Sequence, residues 1–188
     1  ISIGLVGSEM CIRDSHSVKC WGKNNLGQLG LGNSSSNDVL TPHTVTFNGA
    51  STPLSVHAGR NEFCAQLDNG SAACWGQNAD GQFGLGNTTS QTSPIALTLP
   101  TGRTIASMSM AKDFICITLD NGSVVCAGRN TEFQIGQGTT SAAELSWKYV
   151  IGLDMIAHSV ELGQDVGCAH LVNGSMACWG EDVWGLFG

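Results

Sequence analysis

The sequence predicts an all-β protein assembled from a repeated unit, and three observations carry that prediction. The string SVKCWGKNNLGQLGLGN that starts at Ser17 returns as SAACWGQNADGQFGLGN from Ser71, as SVVCAGRNTEFQIGQGT from Ser123 and as SMACWGEDVWGLFG from Ser175. Its cysteine falls at Cys20, Cys74, Cys126 and Cys178, in steps of 54, 52 and 52 residues, and a period near 50 is that of a propeller blade or solenoid unit. The composition agrees, because 25 Gly against 4 Pro and only 12% charged residues suit short strands joined by tight turns.

Within each copy the elements follow in order. An alternating stretch, LSVHAG over 54–59 or TIASMSM over 104–110, reads as a first strand with one buried face. A hairpin follows, with EFCAQL ending at Leu67, a turn at Asp68, Asn69 and Gly70, and SAACWG from Ser71. The turn recurs around Asn121 and Gly122 and around Asn173 and Gly174, where glycine takes the left-handed conformation that a short hairpin loop needs. Next come the glycine-rich loops GQLGLG from Gly27 and GQFGLG from Gly81, and then a weaker strand such as PIALTL from Pro94. A phosphate cradle would need a helix after the glycines and a lysine or acidic partner, so these segments read as blade loops.

A unit of about 52 residues carrying CAxLDNGSxxCWGxNxxGQLGxG resembles the regulator-of-chromosome-condensation repeats, and the resemblance covers 17–188. It implies a propeller usually closed by seven blades. The chain is then expected to be a partial β-propeller holding between three and four blades of antiparallel strands, with units near 17–50, 51–100, 101–150 and 151–188. It reads as a fragment of one propeller domain over 16–188. Projection of the second copy onto the first fails at the start: Cys11 falls one residue out of register with Cys20, and His16 stands where glycine is wanted. GLVGSEMCIRDS resembles translated adapter sequence, so 1–15 is expected to be a non-native segment.

Three cysteine pairs share one spacing, Cys64 with Cys74, Cys116 with Cys126, and Cys168 with Cys178. A three-residue loop centred on Asn69 puts Cys64 opposite Cys74 at a non-hydrogen-bonded site, where Cα atoms approach to about 4.5 Å, within the reach of a disulfide. Buried free thiols packing as small hydrophobes are the alternative. Zinc fits poorly, because metal sites favour cysteines two to four residues apart. Oxidised pairs would place the protein in an extracytoplasmic compartment, whether secreted, periplasmic or at the cell surface.

Other chemistry finds little support. His57, His158 and His170 share no register between copies, and no serine, histidine and aspartate set or carboxylate pair sits on a motif, so neither catalysis nor a metal or other cofactor is expected. Asn33, Asn69, Asn87, Asn121 and Asn173 open glycosylation triplets in a chain rich in Asn and Ser. The tryptophans Trp21, Trp75 and Trp179 read as core filler; Ala127 replaces them in the third copy, where Trp147 and Tyr149 are placed to compensate. Variable residues before each hairpin, namely Arg60, Asn61 and Glu62, Lys112 and Asp113, and Gln164 and Asp165, are the candidates for a binding face.

The 8 basic and 15 acidic residues give a formal charge of −7, which argues against nucleic acid, and no apolar run is long enough to span a bilayer. The expected function is a non-enzymatic scaffold that binds a protein or glycan. Family resemblance adds an alternative, an intracellular guanine-nucleotide exchange factor or regulator of a small GTPase, against which paired cysteines count.

Overall fold

The computed structural model describes residues 2–6, 9–14, 16–49, 51–182 and 185; parts of the segment 1–15 and of the last glycine-rich stretch lie outside the described residues. The chain divides into two compact units, Ile1–Ala79 with Thr89–Leu97, and Asp80–Thr88 with Thr98–Gly188. Among the described residues there are four antiparallel sheets and no α-helix.

In the first unit one sheet runs β1 (Ser2–Val6), β2 (Glu9–Asp14), β3 (Ser17–Asn24) and β4 (Ser35–Val45), and a second runs β5 (Pro53–Ala58), β6 (Glu62–Leu67), β7 (Ala72–Gly76) and β8 (Gln91–Ala96). Within each sheet every strand pairs with its neighbour in sequence, the arrangement that short hairpin connections dictate. β6 and β7 are buried almost throughout, so their apolar runs FCA and AACW face core on both sides. Phe63 stacks on Trp75 at 6.1 Å between ring centroids, and Phe47 meets the same indole edge-on at 5.8 Å. Leu29, Val18 and Val56 complete this core.

The second unit repeats the plan with β9 (Ile105–Met110), β10 (Phe114–Leu119), β11 (Val124–Asn130) and β12 (Ser141–Tyr149), then β13 (Ala157–Leu162), β14 (Val166–Leu171) and β15 (Met176–Gly180). The two sheets are laced together at their first strands, where Val160 N and Leu162 N donate to the hydroxyls of Ser107 and Ser109 at 3.3 and 3.1 Å.

At the start of the chain Asp14 pairs with Ser17 and Cys11 with Cys20, so a turn shorter than those of the other hairpins absorbs the one-residue mismatch. His16 takes φ 74°, close to the 78° of Gly70 and Gly122 in the corresponding turns. One other non-glycine described residue is left-handed, Phe133 at φ 61°, which stands where the other glycine loops carry Gly27 and Gly81. An L side chain pays about 1 to 2 kcal/mol there. Phe133 is 45% exposed and so gives up little packing when removed. Phe133→Gly is therefore expected to stabilise the chain by about 1 kcal/mol, read as a raised denaturant midpoint.

Candidate functional site

The three hairpin turns share one geometry. Asn69, Asn121 and Asn173 accept from the backbone N–H of Ser71, Ser123 and Ser175 at 3.0, 3.1 and 3.0 Å, closing Asx turns, and Gly174 joins Gly70 and Gly122 in the left-handed region at φ 85°. Inside each hairpin two cysteines stand directly opposite: Cys64 and Cys74, Cys116 and Cys126, Cys168 and Cys178. Their sulfurs lie at bonding distance, 2.03, 2.06 and 2.11 Å, as do those of Cys11 and Cys20 at 1.97 Å, and the Cα separations are 4.1 to 4.2 Å. Cys11, Cys20, Cys64, Cys74, Cys116 and Cys126 are wholly buried, whereas Cys178 is exposed. A hydrophilic phosphine added to the folded protein should therefore open Cys168–Cys178 first; peptide mapping after alkylation under native conditions reads the order.

The residues before each hairpin divide into two kinds. The carbonyls of Asn61, Asp113 and Asp165 accept from Gln77 N, Arg129 N and Glu181 N at 3.0, 2.9 and 3.0 Å, tying the loop to the far strand of the hairpin. Gly76, Gly128 and Gly180 lie under these carbonyls with φ of 96°, 117° and 114°, and a Cβ on any of them would collide with the carbonyl oxygen. Glu62 has no exposed surface and its Oε2 accepts from Asn61 N at 2.8 Å. Asp113 is 8% exposed and lies 3.6 Å from Lys112 Nζ and 3.8 Å from Arg129. Arg60 and Gln164 are exposed and Lys112 is half-exposed, so these are the members of the set that present a side chain to a partner. Beside Asp113, partial burial and then the neighbouring Asp113 carboxylate raise the pKa of Asp80 above the usual range, against the opposing pull of Arg129 and Lys112.

The glycine loops are held by residues to which the sequence reading gave no role. Asn24 and Asn130, almost fully buried, accept from Leu29 N and Ile135 N at 3.2 and 3.1 Å, and Gln28, Gln82 and Gln134 accept from Leu26 N, Asp80 N and Glu132 N. The repeated Asn and Gln of the GxNxxGQ string were the available signal. An indole then covers each loop. Trp75 Nε1 donates to Gln28 O at 2.9 Å and Trp179 Nε1 to Gln134 O at 2.8 Å, with a Cβ on Gly30 or Gly136 coming within 2.9 and 3.1 Å of the ring. In the third copy, where Ala127 stands in the tryptophan position, Trp147 from β12 lies against Gly84 instead. Among the described residues its buried Nε1 has no hydrogen-bond partner, nor does Gln82 Nε2.

His57 is half-buried with Nε2 2.8 Å from Ser55 Oγ, while His158 and His170 are exposed. Burial pushes the pKa of His57 below its ordinary 6.5. Its charged form is disfavoured in the fold, so stability is complete above pH 6.5 and is lost as pH falls below that value toward the folded pKa. His57→Gln should flatten the dependence of Tm on pH below pH 6.5. Among the described residues no cluster of His, Cys, Asp and Glu could hold a metal, and no helix is long and apolar enough to cross a membrane.

This geometry has relatives. The family profile for the "Regulator of chromosome condensation (RCC1) repeat" matches residues 16–65 and 69–117, more than half of the chain. Over 142 residues, 76% of its length, the chain is 30% identical to "Protein RCC2 homolog" of Xenopus laevis, covering 26% of that protein. Over 117 residues, 62% of its length, it is 32% identical to the secretion-regulating guanine nucleotide exchange factor of Bos taurus, covering 25% of it. The chain thus spans about a quarter of these relatives. Human WBSCR16 superposes with a TM-score of 0.84 at 20% identity, over 96% of this chain and 46% of that one. Yeast RCC1 (Prp20), in its crystal structure with Kap60, superposes at 0.78 and 21% identity, over 96% and 43%. At such identities the structural likeness shows the fold, a partial β-propeller. The repeated hairpins, the glycine loops under their indoles and the matching profile place this chain in the regulator of chromosome condensation (RCC1) repeat family.

Proposed function

We propose that the chain is part of a non-enzymatic propeller scaffold that binds a protein or glycan partner in an extracytoplasmic compartment. The observation that carries the reading is the cysteine pattern. The cysteines of the three hairpins from Glu62 onward stand in pairs at bonding distance, one pair in each hairpin, and cytosolic thiols are kept reduced. Each pair, oxidised, closes a loop of about ten residues and contributes about 2 to 3 kcal/mol by limiting the unfolded chain. The partner-facing positions are Arg60, Lys112 and Gln164. The backbone beside them is pinned to the hairpin while their side chains differ from copy to copy, which is how a fixed scaffold presents variable chemistry.

The test is binding of the purified, oxidised protein to arrays of secreted ectodomains and glycans, compared with the triple variant Arg60→Ala, Lys112→Ala, Gln164→Ala. A hit that weakens at least tenfold in the variant, with unchanged Tm, supports the reading; a hit unaffected by the variant removes these loops from it. A second reading, nucleotide exchange on a small GTPase, is favoured by the identity to the secretion-regulating exchange factor. Accelerated release of a fluorescent GDP from a GTPase panel, persisting when the protein is reduced, would replace the first reading with the second.

A further inference from the structure

The repeat serves as its own control at the turn end of the hairpins. Backbone N–H groups of Asp68, Asp120 and Val172 donate to the carbonyls of Thr52, Thr104 and Ile156 at 2.9, 2.9 and 3.0 Å, so these three pairs are equivalent. In the second copy the set is Ser51, Thr52 and Asp68, and in the third it is Arg103, Thr104 and Asp120, with Arg103 3.6 Å from Asp120. In the fourth copy all three positions turn apolar together, as Met155, Ile156 and Val172, and they stay 43%, 57% and 57% exposed. Thr104 and Asp120 are exposed as well, although their sheet has a following sheet packed beside it. Exposure is therefore shared by the third and fourth copies, whereas Ser51 and Thr52 of the second are half-buried.

Ile156 lies across Gly122 of the preceding turn, where a Cβ would collide with it. Beside it runs a groove of about 330 Å3, lined by Met155, Ile156, Leu153 and Tyr149, with Asp154 its one charged lining residue. That volume is at the lower end for a ligand-sized cleft. Asp154 is exposed and forms no ion pair among the described residues. An exposed apolar cluster in a chain otherwise charged −7 marks a contact surface, and a lone carboxylate in it selects a cation.

We propose that the face formed by Met155, Ile156 and Val172, with the groove beside Asp154, docks a peptide segment that sets a large aliphatic side chain next to a Lys or Arg. Along its own hairpin this face lies at the end of Val166–Leu171 opposite Gln164, and the proposal stands whether or not the loops of Arg60, Lys112 and Gln164 bind.

The experiment is methyl NMR of the whole chain, labelled at Met, Ile and Val, titrated with a capped hexapeptide of two leucines flanked by lysines and with its glutamate-flanked counterpart. The expected result is saturable shifts at Met155, Ile156 and Val172 with the lysine peptide and at least tenfold weaker response to the glutamate peptide. Asp154→Asn should erase most of that preference. Met155→Arg, Ile156→Thr, Val172→Asp, which grafts on the polar set that the third copy already carries, should abolish binding at unchanged Tm. The variant Arg60→Ala, Lys112→Ala, Gln164→Ala should leave it intact. Absent shifts, equal response to both peptides, undiminished binding by the grafted variant, or shifts that follow protein concentration without peptide would each overturn the proposal. Should the grafted variant not fold, the paired peptides and Asp154→Asn still decide.

Discussion

Gly76→Val is expected to unfold the sheet that contains it. The residue sits at φ 96°, where an L side chain costs about 1 to 2 kcal/mol, and its new Cβ would be driven into the backbone carbonyl of Asn61. Relieving that overlap moves the loop that Gln77 N holds at 3.0 Å and adds roughly 1 to 3 kcal/mol. A total of about 2 to 5 kcal/mol is a large share of the 5 to 15 kcal/mol that stabilises a typical domain. Gly49 is the matched control: its φ is 98° but nothing lies within 4 Å, so Gly49→Ala should cost only about 1 kcal/mol. Urea denaturation of the two variants separates backbone strain from collision.

Trp75→Ala should cost about 4 kcal/mol. The indole is wholly buried, stacks on Phe63, meets Phe47 edge-on and donates to Gln28 O, so its removal leaves a cavity and an orphaned carbonyl over the first glycine loop. Trp147→Ala should cost about half as much, because this indole is partly exposed and its Nε1 has no partner to lose. Near-equal losses from the two would contradict the view that Trp147 is an imperfect substitute seated on Gly84.

The repeat made much of this legible. Spacing of Cys20, Cys74, Cys126 and Cys178 located the hairpins, and the strand bounds at Glu62–Leu67 agree with EFCAQL to the residue. The fourth strand of the second copy starts at Gln91, three residues before the predicted Pro94, because its hydrogen bonds form to Gly76 across a bulge that hydrophobic patterning does not reveal. Ala127 pointed to Trp147 and Tyr149, because a missing indole leaves a hole that some nearby ring must fill; Trp147 lies against Gly84, whereas Tyr149 is 45% exposed. The register of Cys11 was misplaced by one residue, because it was projected with a fixed turn length, and the chain shortens the turn at His16 instead so that Cys11 stands opposite Cys20. Nor did the sequence separate Glu62 and Asp113, which are buried, from Arg60 and Gln164, which face outward. That division depends on the carbonyls of Asn61, Asp113 and Asp165 reaching the far strand, a contact between residues 16 apart that no local pattern encodes. The coordinated change at Met155, Ile156 and Val172 was readable in principle, but only once equivalent backbone hydrogen bonds had aligned the three turns.

The most direct measurement is the intact mass of the protein recovered from its native compartment, alkylated under denaturing conditions with and without prior reduction. The account predicts no alkylation of Cys64, Cys74, Cys116, Cys126, Cys168 and Cys178 before reduction and alkylation of all six after it, with the Cys64–Cys74, Cys116–Cys126 and Cys168–Cys178 linkages recovered by peptide mapping. Full alkylation without reduction would contradict it: the hairpins would then hold free thiols, the extracytoplasmic reading would fall, and exchange activity on a small GTPase would become the leading explanation of this propeller.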